Sequence, residues 1–449
     1  MSIKQDIYFD KRFAKRVNFL ENSQFWNKDQ INRYQLKNLK FLFSHVSKKI
    51  PFYINYFKKN KVKLSDFKSL KDIRIFPLVD KKIIQKDIDK FLVKGIKKKT
   101  LTHRTTGGST GTPLTVWSDF ESQIKDGANT QHYMKVFDLD IFKYKSVRLY
   151  GDKIKGQLAK KNIFWSLKNR RILNMSSYHI NRKSLFDYLK AIKKHKPKYI
   201  HTRASVIFTF AKFLLEEKIK INLNIKYIFV DGEYLTLGQR KIIESAFSTR
   251  LINIYGHTEG ALVGHPCKFS NFLHFMPQNG ILELLDRNGD EVTKIGQKGK
   301  IISTGFNNLI FPLIRYQTGD VGVKGPKSCK CRRNYKILSE VEGRFQDYIV
   351  DKNNNLVPLA PAIFNYSDMN WKGIDEFKII QKNKGRIKIL IQMNKKLKSQ
   401  SQKTLAYTKK KIGEILGSNF IIDTNFIDKL KKTSVGKYRY LDQKLKINF

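Results

Sequence analysis

The sequence predicts a mixed α/β (α+β) protein. A large N-terminal, multi-sheet α/β domain would span residues 1–345, and a small α+β domain residues 346–449. Three observations carry this. Between about residues 100 and 260, strand-like runs ending in polar turns alternate with helical runs, which implies a parallel or mixed sheet with covered faces. Beyond about 280 the pattern becomes more purely β. The last hundred residues then offer a hairpin, a helix and a strand, enough for a separate unit. A chain of 449 residues is long enough for two domains, and its 41% apolar and 12% aromatic content excludes disorder.

Residues 1 to about 95 read as helical. Ile31, Leu36, Leu39, Leu42 and Val46 recur near helical spacing, and Pro51 breaks that helix. SVRLYGD is a strand ending in a turn. PKYIHTRASVIFTFAKFLLEE and KYIFVDGEYLTLGQRKIIESAF each read as strand, turn, helix, and RLINIYGHTEG as a buried strand ending in a polar loop. ILELLDRNGDEV carries an Asn-Gly turn between apolar runs, followed by the strand GKIISTG. FKIIQKNKGRIKILIQM reads as a hairpin, KTLAYTKKKIGEILG as a helix and NFIIDTNFI as a strand.

The charge balance is 88 Lys and Arg against 38 Asp and Glu, a net +50. That invites a polyanion-binding reading. The charge is spread over the whole length, however, and the usage of Lys, Ile, Asn and Phe is what an A+T-rich genome would give. Solvated lysine faces need no function, so no specific nucleic-acid partner is expected, while peripheral membrane contact through lysines stays open. The start, MSIKQDIYFDKRF, lacks the apolar core of a signal peptide, and no apolar run is long enough to span a bilayer. Three cysteines do not suit a disulfide framework. A cytoplasmic protein is expected.

TTGGSTGTP, residues 105–113, stands out against this background. Gly107, Gly108 and Gly111 permit positive φ and close backbone approach; Thr105, Thr106, Ser109 and Thr110 add hydroxyls without bulk. Such a loop can surround phosphate oxygens. It lacks the Gly-Lys-Ser/Thr of the nucleotide-triphosphatase loop, and alone it could be a linker. FVDGEYL (229–235), YGHTEG (255–260), RYQTGD (315–320), EGRFQD (342–347) and TSVGKYRY (433–440) then follow in order.

This series resembles the motif set of adenylate-forming enzymes, the acyl-CoA synthetase-like superfamily. The entry motif IPFYINYF with FPLVDKKII, and a Cys-x-Cys before EGRFQD, are similar to the phenylacetate–CoA ligase and capsular-polysaccharide (CapK-like) branch. The resemblance covers nearly the whole chain. It implies ATP-dependent activation of a carboxylic acid as an acyl-adenylate with release of pyrophosphate, then transfer to coenzyme A or to an amine or hydroxyl such as a sugar. Thr105 to Gly111 would hold the β- and γ-phosphates. Tyr255 with Gly256, and Gly232 with Glu233, would wall the adenine. Thr258 would reach the α-phosphate, Glu259 would help hold Mg²⁺, and Asp320 would accept bonds from both ribose hydroxyls. Arg344 would lie nearby, and Lys437 would bring an ammonium to the reacting carboxylate. The resemblance also implies a small C-terminal domain that swings, with its hinge at Gln346 and Asp347; a glutamine there departs from the usual acidic residue. HTRAS (201–205) departs from the usual Tyr-Pro-Ser-like turn near the acyl pocket, which points to an unusual acid. His132, His201 and Arg203 lie in segments near that pocket, without assigned roles.

Each of these residues has a plainer reading: Tyr255 as a core aromatic, Glu259 as a surface carboxylate, Asp320 as a turn residue. A catalytically degenerate nucleotide-binding relative is the alternative function; a basic nucleic-acid-binding protein is a remoter one.

Cys267, Cys329 and Cys331 with His274 make a Cys₃His set suited to a structural, tetrahedral zinc. The spacing lacks the usual C-x₂₋₄-C, so three unrelated buried thiols is the competing reading, and His265 competes with His274 for the fourth place.

Overall fold

The computed structural model describes residues 7–105, 114–150, 163–180, 184–344, 348–354, 356–358, 374–393, 401–430 and 440–445. The chain folds into two units, each drawn from two stretches: Met1–Lys143 with Ile254–Glu342, and Tyr144–Asn253 with Gly343–Phe449.

The first unit opens with helices. Asp10 caps α1 (Lys11–Ser23) by accepting the Arg12 N–H at 2.8 Å. Asn27 and Gln30 form a reciprocal capping box at the start of α2 (Lys28–Lys49). Pro51 ends α2 and opens α3 (Pro51–Lys59), where its missing N–H costs nothing. Ile31, Leu39, Leu42 and Val46 are buried as expected and Leu36 only half so. The buried place one turn after Ile31 belongs to Gln35, whose amide donates to the Gly280 carbonyl at 2.7 Å. After α4 (Lys81–Lys86), β1 (Thr102–Thr105) and β2 (Thr115–Ser118) pair antiparallel, and α5 (Phe120–Val136) follows.

The second unit begins with β3 (Ser146–Tyr150), β4 (Trp165–Lys168), β5 (Ile172–Ser176), α6 (Leu185–His195), β6 (Tyr199–Thr202), α7 (Ala204–Glu216), β7 (Tyr227–Asp231) and α8 (Leu237–Phe247). Its strands lie in the order β7-β6-β3-β5-β4. All are parallel except the edge strand β4. The strands read as apolar runs because both faces are covered: Val147, Leu149, Ile200, Ile228 and Val230 pack with Tyr188, Phe210, Leu214 and Phe247 of the helices.

β8 (Arg250–Gly256) leads the chain back into the first unit. β9 (Val263–Cys267), β10 (Ser270–Phe275), β11 (Gly280–Leu285), β12 (Lys298–Gly305), β13 (Tyr316–Lys324) and β14 (Lys336–Arg344) follow. The order is β11-β12-β13-β14-β10-β9-β8. A Cβ at Gly280 would stand 2.0 Å from the Thr304 carbonyl oxygen, so only glycine permits this strand approach. The expected Asn-Gly turn is present: Gly289 has φ 86°, and Asp286 accepts the N–H groups of Asn288 and Asp290.

The second unit closes with β15 (Tyr348–Val350), β16 (Leu356–Pro358), the hairpin β17 (Ile374–Asn383) and β18 (Arg386–Met393), α9 (Ser401–Leu416), β19 (Ile421–Phe426) and β20 (Leu441–Gln443). Ile379, Ile389 and Ile391 join the same core as the parallel strands of that unit.

Candidate active site and cysteine cluster

Two motifs far apart in sequence meet in the first unit. β8 and β9 pair through Tyr255 with Gly264 and Gly256 with Val263, which makes residues 257–262 their connection. The Gly260 N–H closes the turn on the His257 carbonyl at 2.9 Å, and Gly260 has φ 73°. Thr258 lies half-buried on this turn. Glu259 is buried, with 7% exposure, so it is not the surface carboxylate of the plainer reading. Its Oε1 accepts the Tyr316 hydroxyl at 2.8 Å. Asp320, at 9% exposure, accepts the Tyr255 hydroxyl on Oδ2 at 2.8 Å. Each tyrosine therefore serves the carboxylate of the other motif. Gly319, at φ 80°, turns the chain between Thr318 and Asp320; the Asp320 N–H donates to Thr318 Oγ1, which donates in turn to the Ile301 carbonyl.

The charge of Glu259 is fixed by its surroundings. Burial pushes its carboxyl up, but His257, a backbone N–H and the Tyr316 hydroxyl outweigh that and hold it at about 2. His257 Nδ1 approaches Glu259 Oε2 to 3.3 Å. The contact is not aligned as a hydrogen bond, and Oε2 and both His257 nitrogens lack hydrogen-bond partners among the described residues. An ionised, buried carboxylate oxygen whose one close neighbour is the unaligned His257 nitrogen suits a hard cation.

Arg315 anchors the start of this segment. Its Nε and Nη2 bind Glu283 at 2.9–3.2 Å, and its Nη1 donates to the Phe76 carbonyl at 3.2 Å. Both side chains are below 10% exposed. The residue has φ 47°, a left-handed conformation that the buried fork and the N–H bond to Thr304 Oγ1 hold in place. Sequence reasoning quoted RYQTGD without assigning Arg315 or Tyr316, and it missed His257. A hydroxyl and a guanidinium directly before the Thr-Gly-Asp turn were the available signal.

The four metal-ligand candidates converge. One ligand atom each from Cys267, His274, Cys329 and Cys331 lies within 4.8 Å of the others. Cys267 Sγ is 3.6 Å from Cys329 Sγ, and Cys331 Sγ is 3.4 Å from His274 Nε2. His274 Nδ1 donates to the Phe272 carbonyl at 2.9 Å, which leaves the Nε2 lone pair facing the sulfurs. Contact with Cys331 and burial push the Cys267 thiol up to about 12, and the same contact lowers Cys331 to about 7. His265 is not in the cluster. Its Nδ1 faces the Pro266 carbonyl at 2.7 Å, and its ring lies beside those of His132 and Tyr133. The donor set and its fixed tautomer fit zinc.

In the second unit, Gly232 has φ 67° in the turn after β7, and Glu233 accepts the Ser205 N–H at 2.8 Å. Thr105 ends β1, with its hydroxyl 3.3 Å from that of Thr115. Thr106, Gly107, Gly108, Ser109, Thr110, Gly111, Gln346, Asp347 and Lys437 lie outside the described residues, as does the side chain of Arg344.

Comparisons with known proteins agree on one group. The family described as "CapK C-terminal domain" matches residues 353–444. Protein CapK of Staphylococcus aureus is 26% identical over 99% of this chain and 96% of its own length. A phenylacetate-coenzyme A ligase of Thermus thermophilus is 21% identical over 74% of each chain. Among solved structures, a 2-hydroxyisobutyryl-CoA ligase in the postadenylation state with R3-HIB-AMP superposes with a TM-score of 0.72 at 15% identity, covering 94% of this chain and 91% of its own. The likeness to Protein CapK therefore runs the full length of the chain, that to the phenylacetate-coenzyme A ligase covers 74% of it, and the mixed α/β fold is shared with the 2-hydroxyisobutyryl-CoA ligase. No helix among the described residues is long and apolar enough to cross a membrane.

Proposed function

We propose that this protein activates a carboxylic acid with ATP, forming an acyl-adenylate and releasing pyrophosphate. The observation that carries the reading is the crossed pair of tyrosine–carboxylate bonds, Tyr255 to Asp320 and Tyr316 to Glu259. It holds two acids with different duties in one buried framework. Asp320 accepts the ribose hydroxyls. Tyr255 stacks on adenine, and Gly232, Glu233 and Gly256 keep the adenine-facing role that the resemblance implies. Glu259 would offer Oε2 to Mg²⁺, which when bound would neutralise phosphate charge. Thr258 donates to the α-phosphate, the segment 105–111 cradles the outer phosphates, Arg344 lies by the nucleotide, and Lys437 orients the attacking carboxylate. Gln346 and Asp347 keep the implied hinge role between residues 1–345 and the small C-terminal domain. Zinc held by Cys267, His274, Cys329 and Cys331 would be structural, since four protein ligands leave no open position.

The second step passes the acyl group to coenzyme A. Several relatives and a structural neighbour are named as coenzyme A ligases, which supports coenzyme A as the acceptor. Carboxylate-dependent exchange of labelled pyrophosphate into ATP tests the first step, and product analysis with and without coenzyme A tests the second. Exchange with at least one acid, abolished in Lys437→Ala, is expected. Absence of exchange over a broad acid panel contradicts the reading.

A further inference from the structure

In an open α/β sheet, ligands bind outside the carboxyl ends of the strands, at the point where the strand order reverses. The second unit has such a point. From β3 the chain lays β5 on one side, then crosses to place β6 on the other side and β7 beyond it. Tyr150, Thr202 and Asp231 are the last residues of β3, β6 and β7. Arg148 is in register with His201 and His201 with Phe229, so by strand alternation Arg148 and Tyr150, His201, and Phe229 and Asp231 share one face.

The polar groups on that face are unevenly satisfied. Asp231 Oδ2 accepts the Tyr150 hydroxyl at 3.0 Å and lies 3.1 Å from His201 Nε2. Arg203, directly after β6, sits with its guanidinium 5.3 Å from the centre of the Tyr150 ring. It has no hydrogen bond or ion pair among the described residues, and its Nε is buried without a partner. The neighbouring helix end is not an alternative seat for an anion, because the carboxylate of Glu233 already takes the Ser205 N–H of α7. The side chains of His201 and Asp231 remain 24% and 33% exposed. The Arg203 charge helps hold Asp231 ionised without a hydrogen bond between them, so its buried Nε still lacks the acceptor that such groups normally find.

We propose that Arg203, backed by Tyr150 and the His201–Asp231 pair, binds a second carboxylate on the acid that this protein activates, so that the substrate is a dicarboxylic acid. This rests on the ligase reading above and names the substrate class of that site. Asp231 directly precedes Gly232 and Glu233, the turn to which the resemblance assigns the adenine, so the acid site and that turn share a strand end.

The test compares matched acids in the pyrophosphate exchange assay: succinate against butanoate, glutarate against pentanoate, terephthalate against 4-methylbenzoate. Wild type, Arg203→Met and Arg203→Lys are each assayed, with ATP titrations to verify that the variants bind nucleotide as wild type does. The expected result is a higher kcat/KM for the dicarboxylate of at least one pair. Arg203→Met lowers that kcat/KM about 10- to 100-fold, the span of a charged hydrogen bond, and lowers the monocarboxylate value by a clearly smaller factor. Arg203→Lys recovers part of the loss. Preference for the monocarboxylates, or equal loss on both acids in Arg203→Met, overturns the proposal while the ligase reading stands. If no acid supports exchange, the ligase reading fails, and calorimetric binding of the same dicarboxylates decides the site. Binding lost in Arg203→Met supports an anion site, and absence of binding to wild type overturns it.

Discussion

Replacing Tyr316 by Phe removes one hydroxyl from the first unit and leaves the buried ring in place. That hydroxyl donates to Glu259 Oε1 at 2.8 Å, in a place where the tyrosine is 2% exposed and the acid 7%. A hydrogen bond to a charged group is worth about 1.5–3 kcal/mol, and the orphaned carboxylate oxygen adds a desolvation cost of similar size. The cost is shared between stability and function. With metal bound, Glu259 is compensated by the cation, and the side chain loses mainly its aim. Tyr316→Phe is thus expected to raise the half-saturating Mg²⁺ concentration for pyrophosphate exchange by about 10- to 100-fold, the equivalent of that energy. The KM for the acid should move little. Mg²⁺ titrations of exchange in wild type and Tyr316→Phe provide the assay, with urea denaturation beside them to measure the lost stability. If the Mg²⁺ requirement and the denaturation midpoint are both unchanged, Tyr316 does not position Glu259 and the reasoning is refuted.

Two further perturbations follow from the first unit. Burial, and then the charges of Arg333, Lys135 and Arg16, lower His132 to about 3. Its neutral form is therefore the folded one, while the unfolded chain takes up a proton below about pH 6.5. The depressed folded value means that stability is fully present above about 6.5 and is lost as pH falls from there toward 3. His132→Phe should reduce that loss by about 2 kcal/mol in total between pH 7 and 5, read from urea midpoints; parallel curves for the two proteins would contradict it. Purified protein should carry one equivalent of zinc, and Cys331→Ser should lose it along with thermal stability, measured by elemental analysis and melting. Metal content below half an equivalent in wild type would speak for three ordinary buried thiols.

Much of the fold was legible because it rests on local signals. The strand-turn-helix runs around SVRLY, YIHT and YIFVD appear as parallel strands covered by helices, and the Asn288–Gly289 turn and the β17–β18 hairpin stand where their residues required them. The helical stripe of α2 was read correctly except at Leu36, which is half-buried, and at Gln35, whose burial depends on a carbonyl 245 residues away. The same limit applies to the site. Cys267, His274, Cys329 and Cys331 were recognisable as donor atoms, but β9 and β10 put His265 and His274 opposite each other, and only the placement of their ring nitrogens, His274 Nε2 by Cys331 and His265 Nδ1 by the Pro266 carbonyl, separates them. The Arg315–Glu283 fork and the Tyr316–Glu259 bond join segments that local periodicity does not connect. The pooling of residues 144–253 with 343–449 in one core depends likewise on packing between distant stretches. Residues 106–111 of the glycine loop and Lys437, expected from the sequence to hold phosphate and carboxylate, lie outside the described residues.

In the proposed reaction Asp320 and Glu259 serve one nucleotide. Calorimetric titration with ATP, in Mg²⁺ and in EDTA, tests this most directly in wild type, Asp320→Asn and Glu259→Gln. Saturable binding by wild type is predicted, weakened at least tenfold by Asp320→Asn under both conditions, since a charged hydrogen bond is worth about 1.5 kcal/mol or more. Glu259→Gln should weaken it only where Mg²⁺ is present. No binding by wild type, or variants that bind as wild type does, would contradict the account.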